Sequence, residues 1–323
     1  MSIDRSVAVG VAVSVEITGR QATVALIDRL GRVLYRCHAK TLRGRPATAT
    51  LEPYLRTIDT ALAYAQTQGF HILGIGVSIP GSVDHASCRP LLVPLLPSLN
   101  GFPLCEFLET RYQFPSRLHA DVDAAILGEY EFGAGKGIHR LLFLKVNAVV
   151  GASLIVDGQL VRPSQQYTGH ICHLPVSLTG PRCSCGKRGC INTLVSMDAM
   201  QKMVQRALRR GEETSLVQRL LNREYFSPQL LAEEAARGDS VALQVYNEVG
   251  RWLSAAVTKY IDLFEPNLLI LGGDVLHTSD LLLTRIRTTL TTNSSSRVCS
   301  LIEIAPARLG CDSALIGAVA SLF

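Results

Sequence analysis

Four residues combine the donor chemistry and the spacing to hold a metal ion: His173, Cys183, Cys185 and Cys190. Thiolate and imidazole are borderline-soft ligands that suit tetrahedral Zn2+. The run Cys183-Ser184-Cys185-Gly186-Lys187-Arg188-Gly189-Cys190 places three thiols within one short segment, which burial of ordinary thiols does not explain. Gly186 and Gly189 let the backbone fold closely around an ion. The Cys-x-Cys start is tighter than the Cys-x-x-Cys of common zinc fingers. Four protein ligands leave no open position, so the spacing predicts a structural ion, not a catalytic one. Cys172 competes as a ligand, and His170 is a further candidate.

These residues need elements to position them, and the chain supplies two sets. In the first, β-favouring runs at 7–17, 22–28 and 32–38 are separated by breaks at Thr18-Gly19-Arg20 and Leu30-Gly31, which predicts an antiparallel meander. A helix over 48–68 follows, with apolar residues at Leu51, Leu55, Ile58, Leu62 and Ala65. Then come a buried strand (72–79), the turn Pro80-Gly81, an irregular stretch (84–101), a helix (104–112), a strand (117–120) and a helix (122–132). The second set has strands at 140–146 and 152–157, then an irregular, cysteine-bearing stretch (167–192). Helices follow at 196–210, 228–237 and 240–264. A strand (268–271) ends in Gly272-Gly273, and a helix, a strand (301–305) and a helix (312–322) close the chain. Strands then helices, twice over, predict two α/β lobes. The first spans 1–121 and is closed by the C-terminal helix 312–323. The second spans 122–311 and carries the zinc loop 169–192.

Composition agrees. A chain of 323 residues exceeds one ordinary core and suits two lobes. With 47% hydrophobic and 18% charged residues, disorder is excluded. The net charge of +5 is mild, and the cluster Arg206, Arg209, Arg210 reads as a solvated helix face before a nucleic-acid patch. The apolar N-terminal stretch lacks a basic region and a cleavage site. No run approaches the roughly 18 apolar residues that span a bilayer. A cytoplasmic protein without membrane contact is expected. Nine cysteines, five of them isolated (Cys37, Cys88, Cys105, Cys299, Cys311), do not form a disulfide framework.

The cysteine motif resembles the signature of the ROK family (repressors, open reading frames and kinases): Gly-His, about ten residues, then Cys-x-Cys-Gly-x-x-Gly-Cys. Here Cys172-His173 precedes Cys183 to Cys190. The likeness extends along nearly the whole chain. Ile79-Pro80-Gly81-Ser82-Val83-Asp84 is similar to the family's sugar-lobe turn. Asp121-Val122-Asp123-Ala124-Ala125-Ile126-Leu127-Gly128-Glu129 is similar to its catalytic segment, and Phe132 to Gly137 continues it. Residues 266–273, PNLLILGG, resemble its adenosine-side strand and loop, and 310–319, GCDSALIGAV, its closing helix. The resemblance implies the two-lobed actin-like ATPase (sugar kinase, ribonuclease H-like) fold with a cleft between lobes. It also implies a homo-oligomer, dimer or tetramer, and a sugar or sugar-like ligand. It places the catalytic base on Asp121, although an Asp at a helix start is also a common cap. It places sugar contacts at Gly81, Asn100, His170, His173 and Asn192, and nucleotide contacts at Gly19, Gly151, Gly272 and Gly273.

Several positions depart from the family pattern. The first phosphate loop, Asp-x-Gly-Gly-Thr in the family, is Glu16-Ile17-Thr18-Gly19-Arg20. The second, Gly-Thr-Gly-x-Gly, is Asn147-Ala148-Val149-Val150-Gly151, whose β-branched residues favour a strand over a phosphate nest. On the sugar side, Glu-Asn-Asp is His119-Ala120-Asp121, Glu-x-Gly-His is His170-Ile171-Cys172-His173, and Cys-Leu-Glu is Cys190-Ile191-Asn192. Pro-Asn-Leu-Pro-Gly-Trp is Pro94-Leu95-Leu96-Pro97-Ser98-Leu99, with Asn100 close by. Each lost polar partner costs about 1 kcal/mol of sugar binding or more. Two readings follow. One is a non-catalytic or weakly active sugar or ligand sensor, transcriptional-regulator-like, holding structural Zn2+. The other is an ATP-dependent sugar kinase of the glucokinase or N-acyl-hexosamine type, with Asp121 as base, ATP and Mg2+. Family repressors carry an N-terminal helix-turn-helix, and this chain begins at the first lobe's strands, so direct DNA binding is not expected. His119 and His170, facing Asp121, raise a second ligand or metal site against the plainer reading of two hydrogen-bonded histidines.

Overall fold

The computed structural model describes residues 9–19, 21–162, 170–222, 224–277, 280–293 and 302–323. The chain divides into one unit of Met1–Gly137, Gln159–Thr168 and Asp312–Phe323, and a second of Ile138–Gly158 and Gly169–Cys311.

In the first unit, β1 (Gly10–Ile17), β2 (Gln21–Asp28) and β3 (Val33–Lys40) form the expected antiparallel meander. After helix α1 (Ala47–Thr67), β4 (His71–Ile79) pairs parallel with β1, and β7 (Ser116–Ala120) parallel with β4. The sheet order is β3–β2–β1–β4–β7. β1 and β2 are buried along almost their whole length, which is why they read as continuous apolar runs. β3 lies at the edge, where only Ala39 is fully buried. α1 presents Leu51, Tyr54, Leu55, Ile58, Ala61 and Ala65 to this core, the spacing of one helical face. The stretch expected to be irregular holds a small antiparallel hairpin, β5 (Ser82–Asp84) and β6 (Arg89–Leu92). Val93, Leu96 and Leu99 anchor the loop that follows. α2 (Leu104–Tyr112) leads into β7.

Two expectations need correction here. Helix α3 (Asp121–Phe132) belongs to the first unit, so the boundary falls after Gly137 and not after Asp121. The reason is close packing of α3 on α11 (Ser313–Gly317). A side chain at Gly317 would overlap the Ala124 carbonyl, and the buried Ser313 hydroxyl donates to Glu129 (2.8 Å). The closing segment is also not one helix over 312–322. It is a 3-10 turn (Gly310–Asp312), the short α11 and a second 3-10 turn (Ala320–Leu322). Contact of Gly317 with α3 outweighs the weak helix preference of this stretch.

In the second unit, β8 (Arg140–Val146) and β9 (Val150–Val156) pair antiparallel; the two-residue β10 (Gln159–Leu160) that follows in the chain belongs to the first unit's segment Gln159–Thr168. β11 (Leu268–Gly272) pairs parallel with β8, and β12 (Glu303–Pro306) parallel with β11. The helices are α4 (Asn192–Val195), α5 (Met197–Arg209), α6 (Leu216–Leu221), α7 (Pro228–Ala236), α8 (Ser240–Phe264), α9 (Asp274–His277) and α10 (Asp280–Asn293). Ser196, Ser227 and Asp239 cap α5, α7 and α8 by accepting backbone N–H bonds. α8 is the central helix, buried from Val241 to Ile261 on a broad face. The short α4, α6 and α9 were not expected, because four to six residues carry too little periodicity to read. Among the described residues, no helix is long and apolar enough to cross a membrane.

Candidate metal centre and ligand-binding loops

The ligand atoms of His173, Cys183, Cys185 and Cys190 all lie within 4.8 Å of one another. His173 Nδ1 is 3.3 Å from Cys183 Sγ, and Cys185 Sγ is 3.6 Å from Cys190 Sγ. Two thiolates about 2.3 Å from a tetrahedral ion would stand about 3.8 Å apart, so the group fits one metal ion such as zinc. Backbone bonds build the knuckle: Cys183 N–H to the Lys187 carbonyl (2.8 Å), Gly186 N–H to Cys183 (3.0 Å) and Gly189 N–H to Pro181 (2.9 Å). Gly189 is required, since it takes φ +61° and a side chain there would run into the Ser177 carbonyl. The Lys187 N–H lowers the pKa of the exposed Cys185 thiol, whereas burial pushes Cys190 up to about 12. Cys172 is not part of the group. It packs in the apolar core with Tyr260, and burial raises its thiol to about 11. His170 falls in the 3-10 turn His170–His173, and its side chain lies outside the described residues, as does Arg20.

The knuckle leads directly into the second phosphate-loop position. Asn192, two residues beyond Cys190, accepts the Val150 N–H on its side-chain oxygen (2.9 Å). The Asn147 carbonyl accepts the Met197 N–H (3.1 Å), and the Asn147 N–H bonds to Val149 (3.3 Å). Asn147 Oδ1 accepts the Asp274 N–H at the start of α9 (2.6 Å). Gly273, at φ +94°, has no room for a side chain, because a Cβ would lie 2.5 Å from that same Oδ1 and 2.6 Å from the Val146 carbonyl. Gly272 makes room for the Phe143 ring. Gly151 sits in β9 opposite Lys145 on β8. The loop between β8 and β9 is thus a hairpin bonded to its own protein on three sides.

The first phosphate-loop position is similarly engaged. Thr18 closes the β1–β2 turn through its N–H (2.8 Å) and hydroxyl (2.7 Å), both donating to the Gln21 carbonyl. The Gly19 carbonyl accepts the Arg43 guanidinium (Nε···O 2.7 Å), and Leu95 covers the glycine, with Cδ1 2.6 Å from where a Cβ would be.

Of the sugar-side residues, Gly81, Asn100 and Asp121 lie in the first unit, and His170, His173 and Asn192 in the second. Gly81 turns β4 into the β5–β6 hairpin, with the Leu92 carbonyl pressed against it. Asn100 is exposed, and its side-chain oxygen accepts the Val93 N–H (2.8 Å). Asp121 is half-buried and is the first residue of α3. His119 is buried, and burial, followed by the charge of His85, holds its imidazole neutral with a pKa of about 3. Its ring neighbour is His85, at 5.8 Å between ring centres. His85 in turn stands 3.4 Å from the buried Asp123. Sequence reasoning missed both partners. Residues 34 and 38 positions apart in the chain give no spacing signal.

A model of the ROK family, described by that name, matches residues 12–322. The chain belongs to the ROK family. It is 26% identical to a glucokinase of Thermotoga maritima over 95% of both chains. It is also 26% identical to the DNA-binding transcriptional dual regulator NagC of Escherichia coli, over 88% of this chain and 68% of that one. The crystal structure of a ROK glucokinase from Streptomyces griseus, in complex with glucose and AMPPNP, superposes with a TM-score of 0.81 at 27% identity, covering 96% of this chain and 98% of that one. The fold is the two-lobed actin-like ATPase fold of the sugar kinases, and the family holds both kinases and repressors.

Proposed function

We propose that this ROK protein is a sensor: it binds a sugar or sugar-like ligand and transfers phosphate weakly or not at all. The observation that carries this is the loop between β8 and β9. Phosphoryl transfer needs backbone donors open to the phosphates and Mg2+. Here Val150 N–H is given to Asn192 and Asp274 N–H to Asn147. The first loop supports the same reading, since Leu95 and Arg43 occupy the space over Gly19. In this reading His173, Cys183, Cys185 and Cys190 hold a structural Zn2+ that braces Asn192. The zinc supplies rigidity within the second unit, and in the first unit the ligand contacts fall to Gly81, Asn100 and Asp121.

Two observations favour the second reading, an ATP-dependent sugar kinase. Asp121 starts a helix directly after a buried strand, as a positioned base requires, and the glucokinase relative matches nearly end to end. Coupled ATP turnover with Mg2+ across hexoses and N-acyl-hexosamines, beside Asp121→Asn, decides between them. The sensor reading expects sugar binding by calorimetry without turnover. Sugar-dependent turnover that vanishes in Asp121→Asn would replace it with the kinase reading.

A further inference from the structure

We propose that Cys88 and Cys105 form an oxidation site in the first unit: a peroxide converts the pair to a reversible disulfide that fastens the β5–β6 hairpin to α2. Cys88 lies in the turn between the two hairpin strands, and Cys105 is the second residue of α2. Cys88 is half-buried and within reach of a small oxidant, whereas Cys105 is only 3% exposed.

Packing brings the two segments together. The hairpin is strapped to the stretch before α2 by two bonds, Gly101 N–H to the Pro90 carbonyl (2.7 Å) and the Arg89 guanidinium to the Gly101 carbonyl (3.1 Å). Cys88 packs against the apolar core that holds Cys105, Leu108 and Leu118. Its backbone takes φ +54°, a left-handed conformation that a non-glycine residue keeps only where its surroundings hold it. β7 is the outer strand of its sheet, and its Leu118 N–H donates to the Cys88 sulfur. The Cys105 thiol donates to the same sulfur.

These contacts divide the pair into an attacking and a resolving thiol. The Cys105 hydrogen bond, then the Leu118 N–H and the Arg117 charge, lower the Cys88 pKa from the ordinary thiol value, against burial and the Glu109 carboxylate. At Cys105 the Cys88 sulfur and burial raise it. The thiolate, not the thiol, is the nucleophile, so Cys88 reacts first. Its sulfur attacks one oxygen of hydrogen peroxide. An S–O bond forms, the O–O bond breaks, and the leaving hydroxide takes a proton from solvent to become water. The Cys105 sulfur then attacks the sulfenic sulfur. An S–S bond forms, the S–O bond breaks, and the second hydroxide leaves with the Cys105 proton as water. Two electrons pass from the thiols to the peroxide. A dithiol reverses the link by exchange. The site stands whether the protein is a sensor or a kinase.

The test is to expose the full chain, with Zn2+ present, to equimolar hydrogen peroxide at neutral pH, then to denature it, alkylate the remaining thiols and map them by mass spectrometry. Cys88 and Cys105 are expected to leave the alkylatable pool together, about tenfold faster than the exposed Cys311, as one intramolecular disulfide that dithiothreitol reverses. In Cys105→Ala, dimedone is expected to trap Cys88 as a sulfenic acid. In Cys88→Ser, Cys105 is expected to stay reduced. The wild-type map decides alone if Cys105→Ala does not fold. Loss of Cys88 no faster than that of Cys311 overturns the proposal. So does a Cys105 that is still alkylated in chains whose Cys88 is oxidised.

Discussion

The loop of residues 147–150 and the turn of residues 81–85 answer opposite questions about ligands. In the first, every polar group singled out is satisfied by the protein: Asn192 takes Val150, Asn147 takes Asp274, and Met197 bonds the Asn147 carbonyl. In the second, buried imidazole nitrogens of His85 and His119 find no partner among the described residues. A saturated loop has replaced its ligand with its own hydrogen bonds. An unsaturated pocket still needs something from outside, because a buried polar group without a partner costs about 1–3 kcal/mol. Departure from the family pattern therefore leaves two different results in one chain: loop donors satisfied internally in the second unit, and buried imidazole nitrogens without a hydrogen bond among the described residues in the first.

This contrast can be broken or sharpened by experiment. The largest effect is expected from Cys190→Ser. The binding free energy of a structural zinc is folding free energy, about 10 kcal/mol or more. Residues 172–192 should then lose hydrogen-exchange protection and the second unit should melt first; unchanged thermal stability would refute a structural ion. Next is Gly273→Ala, expected to cost about 2–3 kcal/mol in denaturant unfolding, because the new Cβ meets Asn147 and Val146 at a backbone angle alanine disfavours.

Asn147→Ala should cost about 1–2 kcal/mol by freeing the Asp274 N–H, and Asn192→Ala about 1 kcal/mol by freeing Val150. Neither is expected to gain AMPPNP binding by calorimetry, since Val149 and Val150 keep the loop extended. A gain in Asn147→Ala would show a nucleotide site plugged by one side chain. The smallest effect concerns acid. Glu234 is buried, and the Ser215 hydroxyl, then Arg219 and Arg237, lower its pKa. A carboxylate depressed in the folded state stabilises above its unfolded pKa and loses that contribution as pH falls through the folded value. Unfolding midpoints followed downward from about pH 5 should decline less steeply in Glu234→Gln. An equal decline would place the acid-sensitive groups elsewhere.

Much of the fold was legible. Continuous apolar runs marked β1, β2 and β4, and helical spacing marked α1 and α8, the latter to both of its ends, Ser240 and Phe264. The metal group was legible because its three thiols lie within one turn-rich segment and need no long-range fold to meet. The hairpin at 82–92 was missed, since proline and leucine there carry no alternation. The unit boundary was misplaced, since it rests on a helix contact between Gly128 and Gly317, far apart in the chain.

Sequence alone determined the family motif, the ligand types of the metal knuckle and the loss of glycines from both phosphate loops. These are local properties, carried by residue type and short spacing. Only the tertiary structure decided what fills the lost space: Leu95 and Arg43 over Gly19, and Asn147 over Gly273. It alone brought His85 to His119 and Asp123. Those meetings depend on the crossing of a hairpin, an edge strand and a helix start, and a crossing in space leaves no periodic trace along the chain.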